Sequence, residues 1–298
     1  MMTQTTEWNL RVVIPTFNRA DDLLACLRSL QEAEIKQEQV IVVDNHSQDR
    51  TVEAVRKNFP NVNLYVNEKN LGASGASNVG FEHALDQGAD LILRLDSDTI
   101  VAKDFLPPLL KAAEDPKVGI LSPKIYYYQP HEEIWYAGAD AHPWHFGAVN
   151  QYRHKTDAPE NNQKREVDYV WGACMLIKRQ VLETLGGFDP DFFVYFEEVD
   201  FCRRVQTLGF RLIFIPESHI WHKVGSSAEN SWTAYHWNRS KMLLYRKHAK
   251  NPFHRTALIL FAYAYAVFSP IFKKRAGNRG PLKDALRGLH NGLKVKLN

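Results

Sequence analysis

Four short apolar runs in the first hundred residues, separated by helix-periodic segments, constrain the fold of this 298-residue chain most. Leu10–Ile14, Val40–Val43, Asn63–Val66 and Leu91–Leu95 read as strands. Between them, Asp21–Leu30 carries Leu23, Leu24, Leu27 and Leu30 on one helical face. Thr51–Asn58 and Ser74–Gln87, the latter ended by Gly88, supply two more helices. A β-α-β-α order of this kind builds a parallel sheet covered on both faces. Ligands then bind beyond the carboxyl ends of the strands. Small polar residues follow each of those ends: Thr16-Phe17-Asn18-Arg19, Asp44 through Asp49, Asn70 through Gly75, and Asp96-Ser97-Asp98. Each loop alone is explained by turn or cap preferences. Four of them on one sheet edge point to a binding site.

The acid pair is the sharpest of these signals. Positions i and i+2 of an extended chain point the same way, so Asp96 and Asp98 can converge on one cation. A cation between carboxylates attracts phosphate oxygens. A second acidic cluster, Glu197-Glu198-Val199-Asp200, follows the aromatic run Phe192 to Phe196. Helix-start preference accounts for one or two of these acids. An apolar wall also raises a carboxylate's pKa and makes it a better general base. His222 follows a strand-like run and Trp221, where an imidazole can join Asp98 on a hard cation such as Mn²⁺ or Mg²⁺.

Charge divides the chain. Residues 1–222 carry 22 basic and 32 acidic side chains, whereas residues 223–298 carry 15 basic and only two acidic ones, Glu229 and Asp284. The three cysteines are widely spaced and odd in number, which argues against a disulfide framework or a thiolate zinc site and for a reducing compartment. The polar stretch Met1–Asn9 and the short apolar run after it do not read as a secretory leader, so a cytoplasmic location is expected. Residues 118–167 read as irregular strands and loops, a lid or acceptor surface. A strand over Asp168–Ile177, a helix over Phe201–Leu208 and a strand over Phe210–Ile215 follow.

From Val12 to about His222 the chain resembles a family 2 glycosyltransferase of the GT-A fold. The matching segments are Val13 to Arg19, Val42 to Asp49, Asn70 to Gly75, Leu95 to Thr99, Trp171 to Cys174, Gly186 to Asp189, Glu197 to Asp200 and Trp221 to Gly225. Trp237 to Ser240 and Arg246 to His248 are similar to the bacterial rhamnosyltransferase-like and galactofuranosyltransferase-like branch, which builds surface polysaccharides. The resemblance implies an α/β fold with a mostly parallel sheet flanked by helices. It places a catalytic domain at 8–225, with a nucleotide-binding half at 8–100 and an acceptor half at 101–225. A basic, partly apolar helical tail follows at 226–298.

It further implies an inverting transfer of a sugar from a nucleotide-diphosphate donor, dTDP-rhamnose-like or a UDP-sugar, to a glycan or lipid-linked acceptor. Thr16, Asp44, Gly72, Asp96, Trp171 and Gly172 would bind the donor. Asp98, His222 and Asp96 would hold Mg²⁺ or Mn²⁺. Glu198 would be the base, where the family often has Asp, with Glu197 and Asp200 as minor candidates. A basic residue common in relatives near Ser77 is missing.

Two other readings compete. Leu95 to Ile100 also fits the D-x-D-x-T signature of haloacid-dehalogenase-type phosphatases, with Asp96 as nucleophile. A transferase that binds nucleotide-sugar or glycan without turnover is the other. In the tail, Thr256–Phe272 is uncharged and 17 residues long, at the lower limit for a membrane span, and contains Pro270. Arg246, Lys247, Lys250 and Arg255 precede it, and Lys273, Lys274, Arg275 and Arg279 follow. Peripheral contact with an anionic membrane surface is expected, and no nucleic acid.

Overall fold

The structure, a computed structural model, describes residues 7–149, 152–224, 231–273 and 282–297, with the side chains of Ala148 and of residues 269–273 excepted. Gly225, Lys274, Arg275 and Arg279 of the expected motifs and flanks lie outside the described residues.

The first half follows the apolar pattern closely. Strands β1 (Leu10–Thr16), β2 (Val40–Asp44), β3 (Asn63–Val66) and β4 (Leu91–Leu95) alternate with helices α1 (Ala20–Glu32), α2 (Thr51–Asn58) and α3 (Gly72–Asp86). Every residue of β2 and β4 is buried, as expected of strands covered on both faces. On α1 the expected stripe Leu23, Leu24, Leu27 and Leu30 is the buried face. These strands pair in parallel in the order β3-β2-β1-β4.

The second half departs from that regularity. After β5 (Thr99–Val101) and α4 (Leu106–Ala113) comes β6 (Val118–Tyr127), a ten-residue strand inside the stretch expected to be irregular. Short strands β7 (Ile134–Tyr136), β8 (Asp140–Ala141), β9 (Ala148–Val149) and β10 (Arg165–Glu166) follow. Strand β11 covers Cys174–Lys178, starting six residues after the expected Asp168 and ending one after the expected Ile177, because Asp168–Ala173 leaves the ladder as a loop. Helix α5 (Arg179–Leu185) leads to α6, which spans Glu197–Thr207 and so begins before the expected Phe201. Strand β12 spans Arg211–His222. It runs past the expected end at Ile215 by shifting register between Ile215 and His219, which accommodates Pro216.

Strand β11 runs antiparallel between β4 and β6, and β12 pairs in parallel with β6. The sheet is therefore mixed, with its parallel part confined to β3-β2-β1-β4 and β6-β12. This antiparallel insertion positions the site. Cys174 pairs with Leu95, so the loop entering β11 lies against the loop leaving β4, and the Asp96 amide donates to the Ala173 carbonyl at 2.9 Å. His222 pairs with Thr99 of β5, and the Lys223 amide donates to the Asp98 carbonyl at 2.9 Å.

Helices α7 (Ser231–His248), α8 (Pro252–Lys273) and α9 (Leu282–Lys294) close the chain. The Ser240 hydroxyl on α7 donates to the carbonyls of Phe192 and Val194, at 3.3 and 2.8 Å. Leu258, Ala262 and Ala266 of α8 are buried at a spacing of four, the packed face of an amphipathic helix. Among the described residues no helix is long and apolar enough to cross a membrane.

Candidate active site

Asp96, Asp98 and His222 come together where β4, β5 and β12 end. One ligand atom from each lies within 4.8 Å of the others. His222 Nε2 is 3.0 Å from an Asp98 oxygen and 4.0 Å from an Asp96 oxygen. Burial pushes the Asp98 carboxyl up, but the His222 hydrogen bond and charge, with Arg19 beside them, hold it below its usual range. Burial lowers the His222 imidazole, and the bond to Asp98 more than reverses this. Two carboxylates and one imidazole form a donor set suited to Mg²⁺ or Mn²⁺.

Two cavities meet at this cluster. The first, about 460 Å³, is lined by Thr16, Asn45, Gly72, Asp96, Asp98 and Phe193 among others. The hydroxyls of Thr16 and Ser74 are buried without a hydrogen-bond partner. Asp44 is fully buried beneath this cleft and is not part of its wall. One Asp44 oxygen accepts from the Ser47 amide at 2.9 Å, while the other has no partner. Gly72 has φ +75°, and a Cβ there would collide with the Phe193 carbonyl. It therefore permits close approach of the loop before α6, in addition to lining the cleft.

The second cavity, about 720 Å³, is lined by Tyr169, Trp171, Gly172, Glu197, Glu198 and Trp237 among others, and also reaches Asp96, Asp98 and His222. Trp171 and Gly172 thus stand on the wall shared with Glu198, not on that of the Thr16 cleft. The Tyr169 hydroxyl donates to one Glu198 oxygen at 3.0 Å, and the other oxygen is buried without a partner. Burial raises the Glu198 carboxyl above its usual range, although the Tyr169 bond pulls it back. Glu197 is raised further, first by burial and then by the neighbouring Glu198 charge. Asp200 faces away into a network with Arg204, Lys247 and His248.

The sequence profile of glycosyl transferase family 2 matches residues 11–186, more than half of the chain.

The chain belongs to glycosyl transferase family 2.

Its relatives agree. The N-acetylglucosaminyl-diphospho-decaprenol L-rhamnosyltransferase of Mycobacterium tuberculosis is 27% identical over 240 residues, covering 72% of this chain and 75% of that protein. The dTDP-rhamnosyl transferase RfbF of Shigella flexneri is 23% identical over 227 residues, covering 74% and 71%. Among solved structures, the mannosyltransferase PcManGT from Pyrobaculum calidifontis, in complex with GDP-Man and Mn²⁺, superposes with a TM-score of 0.58. It is 22% identical and covers 98% of this chain and 77% of that one. The fold is GT-A, and the protein is a glycosyltransferase of the rhamnosyltransferase-like and galactofuranosyltransferase-like branch. The phosphatase reading of Asp96 gives way to this assignment.

Family 2 motifs did not announce two further site residues of this glycosyltransferase. Arg94, buried within β4, grips an Asp96 oxygen at 2.6 Å and also donates to the Gly172 carbonyl. It thereby ties the acid pair to the wall beside Glu198. Tyr169 orients the candidate base. A lone arginine within an apolar strand was the available signal for Arg94. Tyr169 had none, because tyrosine suits a strand in any case.

Proposed function

We propose that the protein is a metal-dependent, inverting transferase acting from a nucleotide-diphosphate sugar, dTDP-rhamnose-like or a UDP-sugar, onto a hydroxyl of a glycan or lipid-linked acceptor. One observation carries this reading: the unpartnered oxygen of Glu198 lies in a cavity that also reaches Asp98 and His222. A base and a cation-binding cluster on one cavity suit a single in-line displacement at the anomeric carbon.

In that reaction the acceptor oxygen bonds to the anomeric carbon as the bond to the diphosphate breaks. Glu198 takes the acceptor proton on its free oxygen, and Tyr169 holds the other oxygen in place. Asp98, His222 and Asp96 would hold Mg²⁺ or Mn²⁺, which supplies positive charge for the diphosphate leaving group. Arg94 fixes Asp96 in position. The unpartnered hydroxyl of Thr16 lies in the cleft wall and suits the nucleotide, whereas Asp44, buried behind that wall, would act by holding the Ser47 turn. Trp171 and Gly172 shape the wall on which the sugar is presented to Glu198. We further propose that the enzyme works at the cytoplasmic face of a membrane, to which the outer surface of α8 would bind.

The test is a transfer assay with Mn²⁺, a nucleotide-sugar panel and NMR of the product. Inverted anomeric configuration and loss of turnover in excess EDTA are expected. Glu198→Gln should reduce turnover about 10²–10⁴-fold with donor affinity nearly kept. Retained configuration, or full turnover in EDTA, overturns the reading.

A further inference from the structure

The segment between the 3₁₀ turn at Pro190–Phe192 and α6 is backbone of an unusual kind. Phe193, Tyr195 and Phe196 all have positive φ, at +36°, +66° and +66°. Non-glycine residues in this region are strained, and such strain persists where the surroundings enforce it. Here the enforcement is visible. The Phe193 carbonyl accepts from the Ser74 amide at 3.3 Å on one side, and Ser240 of α7 donates to Val194 on the other. The result is a partition: Val194 and Tyr195 line both cavities.

The acceptor side of the partition is aromatic. Trp237 of α7 keeps 45% of its surface exposed, although it packs with Phe196 at 4.6 Å and Tyr195 at 5.4 Å between ring centroids. Trp232, 50% exposed and 6.2 Å from Tyr195, stands on the other side, in the wall of the first cavity. A second aromatic group lies in the same cavity around Glu198. There Trp135 and Trp171 meet at 4.5 Å, and Tyr169 and Trp171 at 5.3 Å. One cavity thus holds two separate aromatic groups, and only one of them surrounds the base.

A sugar ring presents an apolar C–H face and a polar hydroxyl rim. The π face of an indole complements the first, and its exposed edge leaves the second in water. A half-exposed tryptophan continuous with a reaction cavity, as Trp237 is, is surface that a ligand of this kind would cover. We propose that Tyr195 and Trp237 form a second acceptor subsite, which stacks on a sugar ring beyond the one glycosylated at Glu198. The acceptor class is then a glycan of at least two residues. This inference rests on the second cavity being the acceptor side.

Calorimetric titration of the full chain, without donor or metal, tests it. The probes are mono-, di- and trisaccharides of rhamnose, galactose, mannose and N-acetylglucosamine, with thermal melting as the control for folding. At least one di- or trisaccharide should bind about tenfold tighter than its constituent monosaccharides. Trp237→Ala should abolish that advantage, and Trp237→Phe should largely restore it. Equal affinity of native and Trp237→Ala protein for the same oligosaccharide overturns the subsite. So does equal binding of mono- and oligosaccharides, or no binding across the panel. Because this readout needs no turnover, an active Glu198→Gln variant would sink the assignment of the base while leaving the subsite standing.

Discussion

The two oxygens of Glu198 differ in a way that decides its chemistry. One accepts from Tyr169 and the other is buried and unpartnered. Burial raises the carboxyl, and the phenol restrains that rise by stabilising the charged form. Since a base must be ionised to work, turnover should climb with pH through the raised pKa of Glu198. Tyr169→Phe removes the restraint, so the acid limb of the kcat profile should move to higher pH. Turnover at its plateau should fall about tenfold as the carboxylate loses its orientation. A pH profile of kcat for both proteins checks this, and an unmoved acid limb would count against the pairing. That Asp96, Asp98, His222 and Glu198 would share one site was legible in the sequence, the acids from strand alternation and local clustering and His222 from its motif resemblance. The roles of Arg94 and Tyr169 were not, since the Gly172 carbonyl reaches Arg94 through the pairing of β4 with β11, and Glu198 reaches Tyr169 through the packing of α6.

Elements were legible in proportion to their regularity. The bounds of α2, β3 and β4 coincide with the expected segments, because each is a clean periodic run between turn residues. Strand direction leaves no such trace, so the antiparallel β11 could not be read, and neither could the continuation of β12 beyond Pro216. The joint between α6 and α7 was equally hidden. Fully buried Asp200 accepts from Arg204 at 2.7 Å on its own helix, and from Lys247 and His248 of α7 at 2.9 and 2.8 Å. Burial alone would raise this carboxyl, but His248, Arg204 and Lys247 hold it down at about 2. Its folded pKa therefore lies below the unfolded value of about 3.9. The resulting stability is fully present above about pH 4 and is lost as pH falls towards 2. Asp200→Asn should lower stability by roughly 3 kcal/mol at pH 7, because it removes the buried charge that Arg204, Lys247 and His248 share. Thermal melts from pH 7 to pH 3 check both points: the native protein should lose stability on acidification, and the gap to the variant should narrow.

At the scale of the whole molecule, the basic tail is partly committed to the body. Lys247 pairs with Asp189 and Asp200, and Arg246 donates to the carbonyls of Gly292 and Val295. Of the four basic residues before the apolar segment, Lys250 and Arg255 are the exposed ones without such a duty. The outer face of α8 is apolar and exposed at Phe253 (85%), Leu260 (64%) and Phe268 (55%). Its inner side contributes Phe261 and Tyr265 to the cavity that holds Glu198. A helix packed on one face and apolar on the other suits an interfacial position, and nearby basic groups add about 1 kcal/mol each at an anionic leaflet. We expect the protein to float with anionic vesicles at low salt and less so at about 1 M, where charges are screened within about 3 Å. Removing residues 256–298 is a poor test, because it also removes a wall of the cavity and the partner of α7. The double variant Leu260→Glu, Phe268→Glu changes only the outer face, so it should abolish flotation with little change in melting temperature. Flotation that survives this variant, or that never occurs with anionic vesicles, would leave α8 as a packing element alone.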